Sequence, residues 1–158
     1  MRQIYSLFTL LIIVTSCSVS NKTNLKMNQT EQTVKALIEE CYINGALNQM
    51  NTSEMKRGYH KDFAIFFSEN DELRKLPLTI WIEMIEGYKK SGVKDGIRNF
   101  KAEFLKIEVT ETAAFVKLNL IRDNQLVFTD YITLLKFGDN WKIVTKIYHA
   151  HIENPWNI

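Results

Sequence analysis

Apolar and polar residues alternate most regularly between Gln125 and His151. Residues 125–137 are rich in β-branched and aromatic side chains. A period of two puts Val127, Thr129, Tyr131, Thr133 and Leu135 on one face, and Leu126, Phe128, Asp130, Ile132, Leu134 and Lys136 on the other. Both faces are largely apolar, which predicts an interior strand covered on both sides. Gly138-Asp139-Asn140 tolerates the positive φ of a tight turn. The same period then sets Trp141, Ile143, Thr145 and Ile147 against Lys142, Val144, Lys146 and Tyr148. The two segments form an antiparallel hairpin.

Upstream the period changes. Val34, Leu37, Ile38, Cys41, Tyr42 and Gly45 recur at helical spacing and predict a helix over about residues 30–49. Asn28 and Glu31 fit a capping box at its start, with Thr30 as the alternative cap. A short second helix is expected over 53–59, capped by Thr52 or Ser53. Residues 60–62 connect it to a buried strand over 63–68. A charged loop over 69–77 follows, with room for a small strand near Leu73. Trp81, Met84, Ile85 and Tyr88 share one face of a third helix over 79–90, which Ser91-Gly92 ends. After a linker over 93–99, two strands are expected at 100–109 and 112–122, and Asp123-Asn124 turns into the hairpin. The tail, with Pro155 and Trp156, is expected to fold back on the domain.

The order is helix, helix, strand, helix, then four strands joined by tight turns. It predicts an α+β fold, a curved antiparallel sheet with three helices gathered on one face. Such a sheet encloses a cone with an apolar lining and one open mouth.

Composition sharpens this only in places. The chain has 158 residues and 46% hydrophobic content, enough for one domain with a core. The formal charge is +2 and the basic residues are interleaved with acids, which argues against a nucleic-acid footprint. No Gly-rich phosphate loop, zinc-finger cysteine pair or nucleophile elbow is present.

The first residues read as an export signal over 1–16, with Arg2 before the apolar run Leu7 to Val14. Val14-Thr15-Ser16-Cys17 then resembles the bacterial lipobox. That resemblance implies cleavage before Cys17 and acylation of it; an ordinary signal peptide with a chance cysteine is the alternative. Each buried acyl methylene adds about 0.8 kcal/mol, so a multiply acylated terminus is held firmly. Ser18 is not the aspartate of inner-membrane retention, which favours the outer membrane, facing the periplasm. Residues 17–29 are a polar tether and 30–158 the folded domain. With Cys17 carrying lipid, Cys41 has no internal partner and is expected to be a buried, inert thiol.

The chain resembles the nuclear transport factor 2-like superfamily and, more narrowly, its lumazine-binding branch, over about residues 31–149. The most specific match is Asp130-Tyr131-Ile132-Thr133-Leu134-Leu135-Lys136, Gly138, Trp141-Lys142-Ile143-Val144 and Lys146. Tyr42, Gly45, His60 and the strand Phe63 to Phe67 match more loosely. The resemblance implies a cystatin-like cone, a small apolar or aromatic ligand, no cofactor, and a homodimer through the exposed sheet face. The superfamily holds enzymes, binding modules and assembly domains, so the fold leaves function open.

Candidate residues follow. Asp130 shares a strand face with apolar neighbours and is either a pocket carboxylate or one half of an ion pair with Lys117, Lys146 or Arg122. Tyr42 matches the oxyanion-stabilising tyrosine of the ketosteroid isomerase branch. The matching general base is missing, because the first strand reads Phe63-Ala64-Ile65-Phe66-Phe67. Trp81, Tyr88 and Trp141, with Tyr42 and Asp130, are the ligand-binding candidates, and Phe104, Phe128 and Tyr131 are further aromatics that would stack on a planar ligand or fill the core. His60 with Asp62, and His149 with His151, have spacings that would allow a metal, but nothing demands one. Three readings result. The first is a non-catalytic, lipid-anchored binding or assembly domain. The second is a small isomerase, dehydratase or cyclase using Asp130, Tyr42 and His60, which requires those side chains to converge. A third is a purely structural dimerisation module with a closed cone. Substituting Cys17→Ser is expected to move the protein from the membrane to the soluble fraction; retention in the membrane would contradict lipidation.

Overall fold

A computed structural model describes residues 27–92 and 99–153. The predicted leader, most of the tether, the linker over 93–98 and the tail from residue 154 lie outside the described residues. The elements are α1 (Gln29–Leu37), a π-helical continuation (Ile38–Asn48), α2 (Thr52–Gly58), β1 (Tyr59–Glu69), β2 (Glu72–Pro77), α3 (Leu78–Lys90), β3 (Lys101–Thr110), β4 (Ala113–Arg122), β5 (Gln125–Phe137) and β6 (Asn140–Ala150). The six strands form one sheet in the order β2-β1-β6-β5-β4-β3.

The α+β reading holds, with one change of direction. All neighbouring pairs are antiparallel except β1 and β6, which run parallel. The reason is topological. The chain leaves β2 through α3, crosses to the far edge at β3, and meanders back until β6 reaches β1 from the other side.

The long first helix starts where the capping box predicts. Asn28 Oδ1 accepts from the Glu31 N–H at 2.9 Å, and Glu31 returns the bond to the Asn28 N–H at 2.9 Å. Its second half is not α-helical. From Ile38 the winding loosens to a π-helix, and the Gln49 N–H donates to the Asn44 carbonyl at 2.8 Å. The looser turn broadens the buried face to Ile38, Cys41, Tyr42, Ile43, Ala46 and Leu47. Asn48 then fastens the helix end to the sheet, with Nδ2 donating to the Phe100 carbonyl at 2.9 Å and Oδ1 accepting its N–H at 2.8 Å. The second helix is capped by Asn51, not by Thr52 or Ser53: its Oδ1 accepts from the N–H groups of Ser53 and Glu54.

The small strand for which the charged segment over 69–77 has room near Leu73 is present and longer, as the second arm of a hairpin, β2 over Glu72–Pro77. Asn70 and Asp71 both take positive φ, 52° and 61°, which suits a two-residue turn and lets β2 pair with β1. Asp123 and Asn124 do the same between β4 and β5, at 52° and 61°.

Inside the cone, the inner face of β4 is Ala114, Val116, Leu118 and Leu120, and that of β5 is Phe128, Asp130, Ile132 and Leu134; all are buried. Each of the large apolar chains contributes about 1.5–3 kcal/mol by leaving water. The outer face of β5 is covered less than its composition suggests. Val127 and Thr129 are buried, Tyr131 and Thr133 are half-buried, and Leu135 is 42% exposed.

On β6 the strict alternation fails. Thr133 pairs with Thr145 but Leu134 pairs with Ile143, so Val144 is an extra residue, a β-bulge. Trp141 and Ile143 face inward before it, and Lys146, not Thr145 or Ile147, is buried after it. A slip of one residue swaps faces; here it drives a lysine into the core and leaves Ile147 52% exposed.

Cys41 and Gly58 meet where α2 crosses the first helix. A Cβ on Gly58 would lie 2.3 Å from the Cys41 Cβ and 2.6 Å from its Sγ. Gly58→Ala is therefore expected to cost about 1–3 kcal/mol through overpacking. An unchanged denaturation midpoint would show that the two elements are not in this contact.

Candidate functional site

The buried lysine meets two other polar side chains. Tyr42 comes from the π-helical segment, Asp130 from the middle of β5 and Lys146 from β6 just past the bulge. The Tyr42 hydroxyl donates to Asp130 Oδ2 and accepts from Lys146 Nζ at 2.8 Å. Lys146 Nζ also donates to Asp130 Oδ1 at 3.2 Å. The Asp130 side chain is fully buried and that of Lys146 is 4% exposed. The rings of Tyr42 and Tyr148 flank the ammonium at 4.9 and 5.1 Å.

Burial sets the electrostatics. It raises the Tyr42 hydroxyl well above the usual tyrosine range, and the neighbouring Asp130 charge adds to the rise. Burial lowers the Lys146 ammonium, against the opposing pull of Asp130. Tyr148 is raised by the same two causes, burial first and Asp130 second. Tyr59 is raised by burial, and its hydroxyl has no hydrogen-bond partner.

Beside this cluster lies a cavity of about 240 Å³ lined by Ile65, Phe67, Leu76, Trp81, Met84, Tyr88 and Tyr148. No charged side chain lines it. Trp81 is its buried wall and packs edge-on to Tyr42, with centroids 6.4 Å apart, and to Tyr59 at 5.7 Å. Met84 and Tyr88 line it too but are 43% and 37% exposed, which puts them at the mouth. Trp81 and Tyr148 therefore stand between the cavity and the polar cluster.

The predicted candidates fall into three places. Tyr42 and Asp130 come together, and of the three possible cations for Asp130 the structure selects Lys146. Lys117 instead lies over the Tyr131 ring and Arg122 over Phe100. Trp81 and Tyr88 meet at the cavity. Trp141 does not join them; it is buried at the start of β6, facing a surface depression shared with Thr33, Leu37 and Arg57. His60 is also elsewhere, stacked on Phe137 with centroids 4.8 Å apart and its Nδ1 accepting from the Asp62 N–H at 3.3 Å. His149 and His151 pack together, and His151 Nε2 is 2.9 Å from the Thr129 hydroxyl. Among the described residues no group of three metal-ligating side chains occurs. Phe128 lies in the core and Tyr131 against Phe115 on the outer face. Tyr148 and Leu76 were not among the candidates, and Lys146 was legible only as one of three cations for Asp130, because the bulge that turns it inward leaves no mark in the alternation.

The architecture is that of the nuclear transport factor 2-like class. A protein of that kind and of unknown function from Silicibacter pomeroyi superposes with a TM-score of 0.61 at 19% identity, covering 79% of this chain and all (100%) of its own. Another from Shewanella baltica gives 0.61 at 23% identity, over 81% and 100%. Within that class, residues 29–149 match the family described as "Putative lumazine-binding", and the chain belongs to it. A curated relative named Aldolase FrzH, from Cladobotryum sp., is 25% identical over 116 residues, which is 70% of this chain and 84% of that protein.

Removing one partner of a buried ion pair strands the other. Lys146→Met should therefore cost about 3–5 kcal/mol, and adding Asp130→Asn to it should recover most of that loss. Denaturant midpoints of the single and double variants check this; a single variant as mild as a surface substitution would contradict the buried pair.

Proposed function

We propose that the domain binds a small, neutral, planar molecule in the apolar cavity between α3 and the β1, β2 and β6 strands, without turning it over. The observation that carries the reading is the cavity itself. At about 240 Å³ it exceeds the roughly 150 Å³ of an engineered apolar cavity that takes up benzene. It lies below the roughly 300–1,000 Å³ of sites for drug-sized ligands, so a molecule of one or two rings suits it. Trp81, Tyr88 and Tyr148 offer ring faces and edges, and the absence of charge in the lining disfavours an ion. The family description points to the same class of ligand.

The cellular setting belongs to this proposal. The apolar run before Val14-Thr15-Ser16-Cys17 supports a lipid-anchored domain in a bacterial envelope, at the outer membrane on the periplasmic side. Leu135, Phe137 and Ile147, exposed by 42%, 43% and 52%, support a homodimer through the outer sheet face.

A second reading is a small enzyme acting on the same occupant. Two observations favour it: Tyr42 and Asp130 converge at a buried lysine beside the cavity, and the relative named an aldolase covers most of the domain. His60, the third candidate of that reading, is not part of the convergence.

Native mass spectrometry of the protein purified from its own host tests the binding reading. A defined extra mass on each protomer is expected, and Leu76→Trp, which fills the cavity, should remove it. Protein free of any adduct, together with no binding of one- or two-ring probes, would overturn the reading.

A further inference from the structure

Lys146 needs a reason beyond packing. A buried ion pair is seldom more stable than apolar side chains of the same volume, because both charges lose their hydration. Its amine is also placed for chemistry. Nζ lies 2.8 Å from a hydroxyl and 3.2 Å from a carboxylate, two groups able to carry protons to and from an atom bound to it. Two aromatic side chains touch both compartments and line the cavity: the Tyr148 ring lies 5.1 Å from Nζ, and Trp81 packs edge-on to Tyr42. Of the two, Tyr148 is the half-buried one, near the end of β6, and it is the side chain that has to turn aside for a molecule in the cavity to reach the amine.

We propose that Lys146 captures small neutral aldehydes or ketones from the cavity as an iminium; this rests on the cavity being a ligand site. The ammonium first gives a proton to the Asp130 carboxylate. The free amine then adds to the carbonyl carbon, forming the C–N bond as the C=O pair moves onto oxygen. A proton passes from nitrogen to that oxygen through the Tyr42 hydroxyl. Asp130 returns its proton as the C–O bond breaks, water leaves, and the nitrogen lone pair closes the C=N bond. One carbonyl is consumed and one water released. Asp130 and Tyr42 end as they began, and no oxidant or reductant is needed. The uncharged lining selects neutral carbonyl compounds over sugar phosphates or keto acids.

The test treats the full chain with benzaldehyde and cyanoborohydride near neutral pH, then maps the modified peptides. Exposed lysines stay protonated there. Lys146 is expected to be alkylated first, and Tyr148→Ala to speed that labelling several-fold. Lys146→Arg should abolish it while benzaldehyde still quenches tryptophan fluorescence reversibly. Reversible quenching with label on surface lysines only would overturn the capture and leave the cavity reading standing. Neither quenching nor label would overturn both. Should the arginine variant not fold, the wild-type peptide map and the Tyr148→Ala rate decide the matter alone.

Discussion

The fold is constrained most by the contact of Asp130 with Lys146 and Tyr42 inside the cone. Two charges held there cost several kcal/mol of lost hydration each, which is offset only if every polar atom is met in good geometry. That condition reaches outward. The bulge at Val144 turns Lys146 inward, and the register of β5 against β6 puts Asp130 beside it. The π-helical winding spreads the buried face on which Tyr42 sits, and Asn48 pins the end of that winding to Phe100. Two irregular features, the bulge and the π-helical winding, thus converge on one buried cluster.

The same cluster gives the cavity its character. Trp81 and Tyr148 separate an uncharged cavity from the buried polar cluster behind it. A ligand in the chamber meets rings and aliphatic chains, while one side chain away lie a hydroxyl, a carboxylate and an amine. A binding protein needs only the first compartment. The second adds a charge-bearing floor, which is why the same geometry supports both the binding reading and the capture by Lys146.

Much of this was legible in the residues, for reasons that can be named. The bounds of β5 at Gln125 and Phe137 follow from turn residues on either side, and the capping box at Asn28 follows from side chains that satisfy free N–H groups. Asn70-Asp71 carried a turn signal of the same kind as Asp123-Asn124, but the charged residues around it hid the hairpin and the full length of β2, of which only a small strand near Leu73 was legible. The inward turn of Lys146 could not be read, because a bulge is a property of strand pairing and the alternation of β6 is equally regular without it. Trp141 illustrates a different limit. Its aromatic character predicted burial correctly, but which depression an aromatic faces depends on where the helices cross. His60 was grouped with Tyr42 and Asp130 through resemblance, and no pattern in the chain itself placed it there.

The most direct test of the central claim, that the chamber beside the polar cluster receives a small planar molecule, is a methyl and aromatic NMR titration with indole. The account predicts shifts confined to Ile65, Leu76, Met84, Trp81 and Tyr148, saturating at one molecule per chain. Unchanged resonances at these residues, or shifts gathered around Trp141 or the outer face of the sheet, would contradict it.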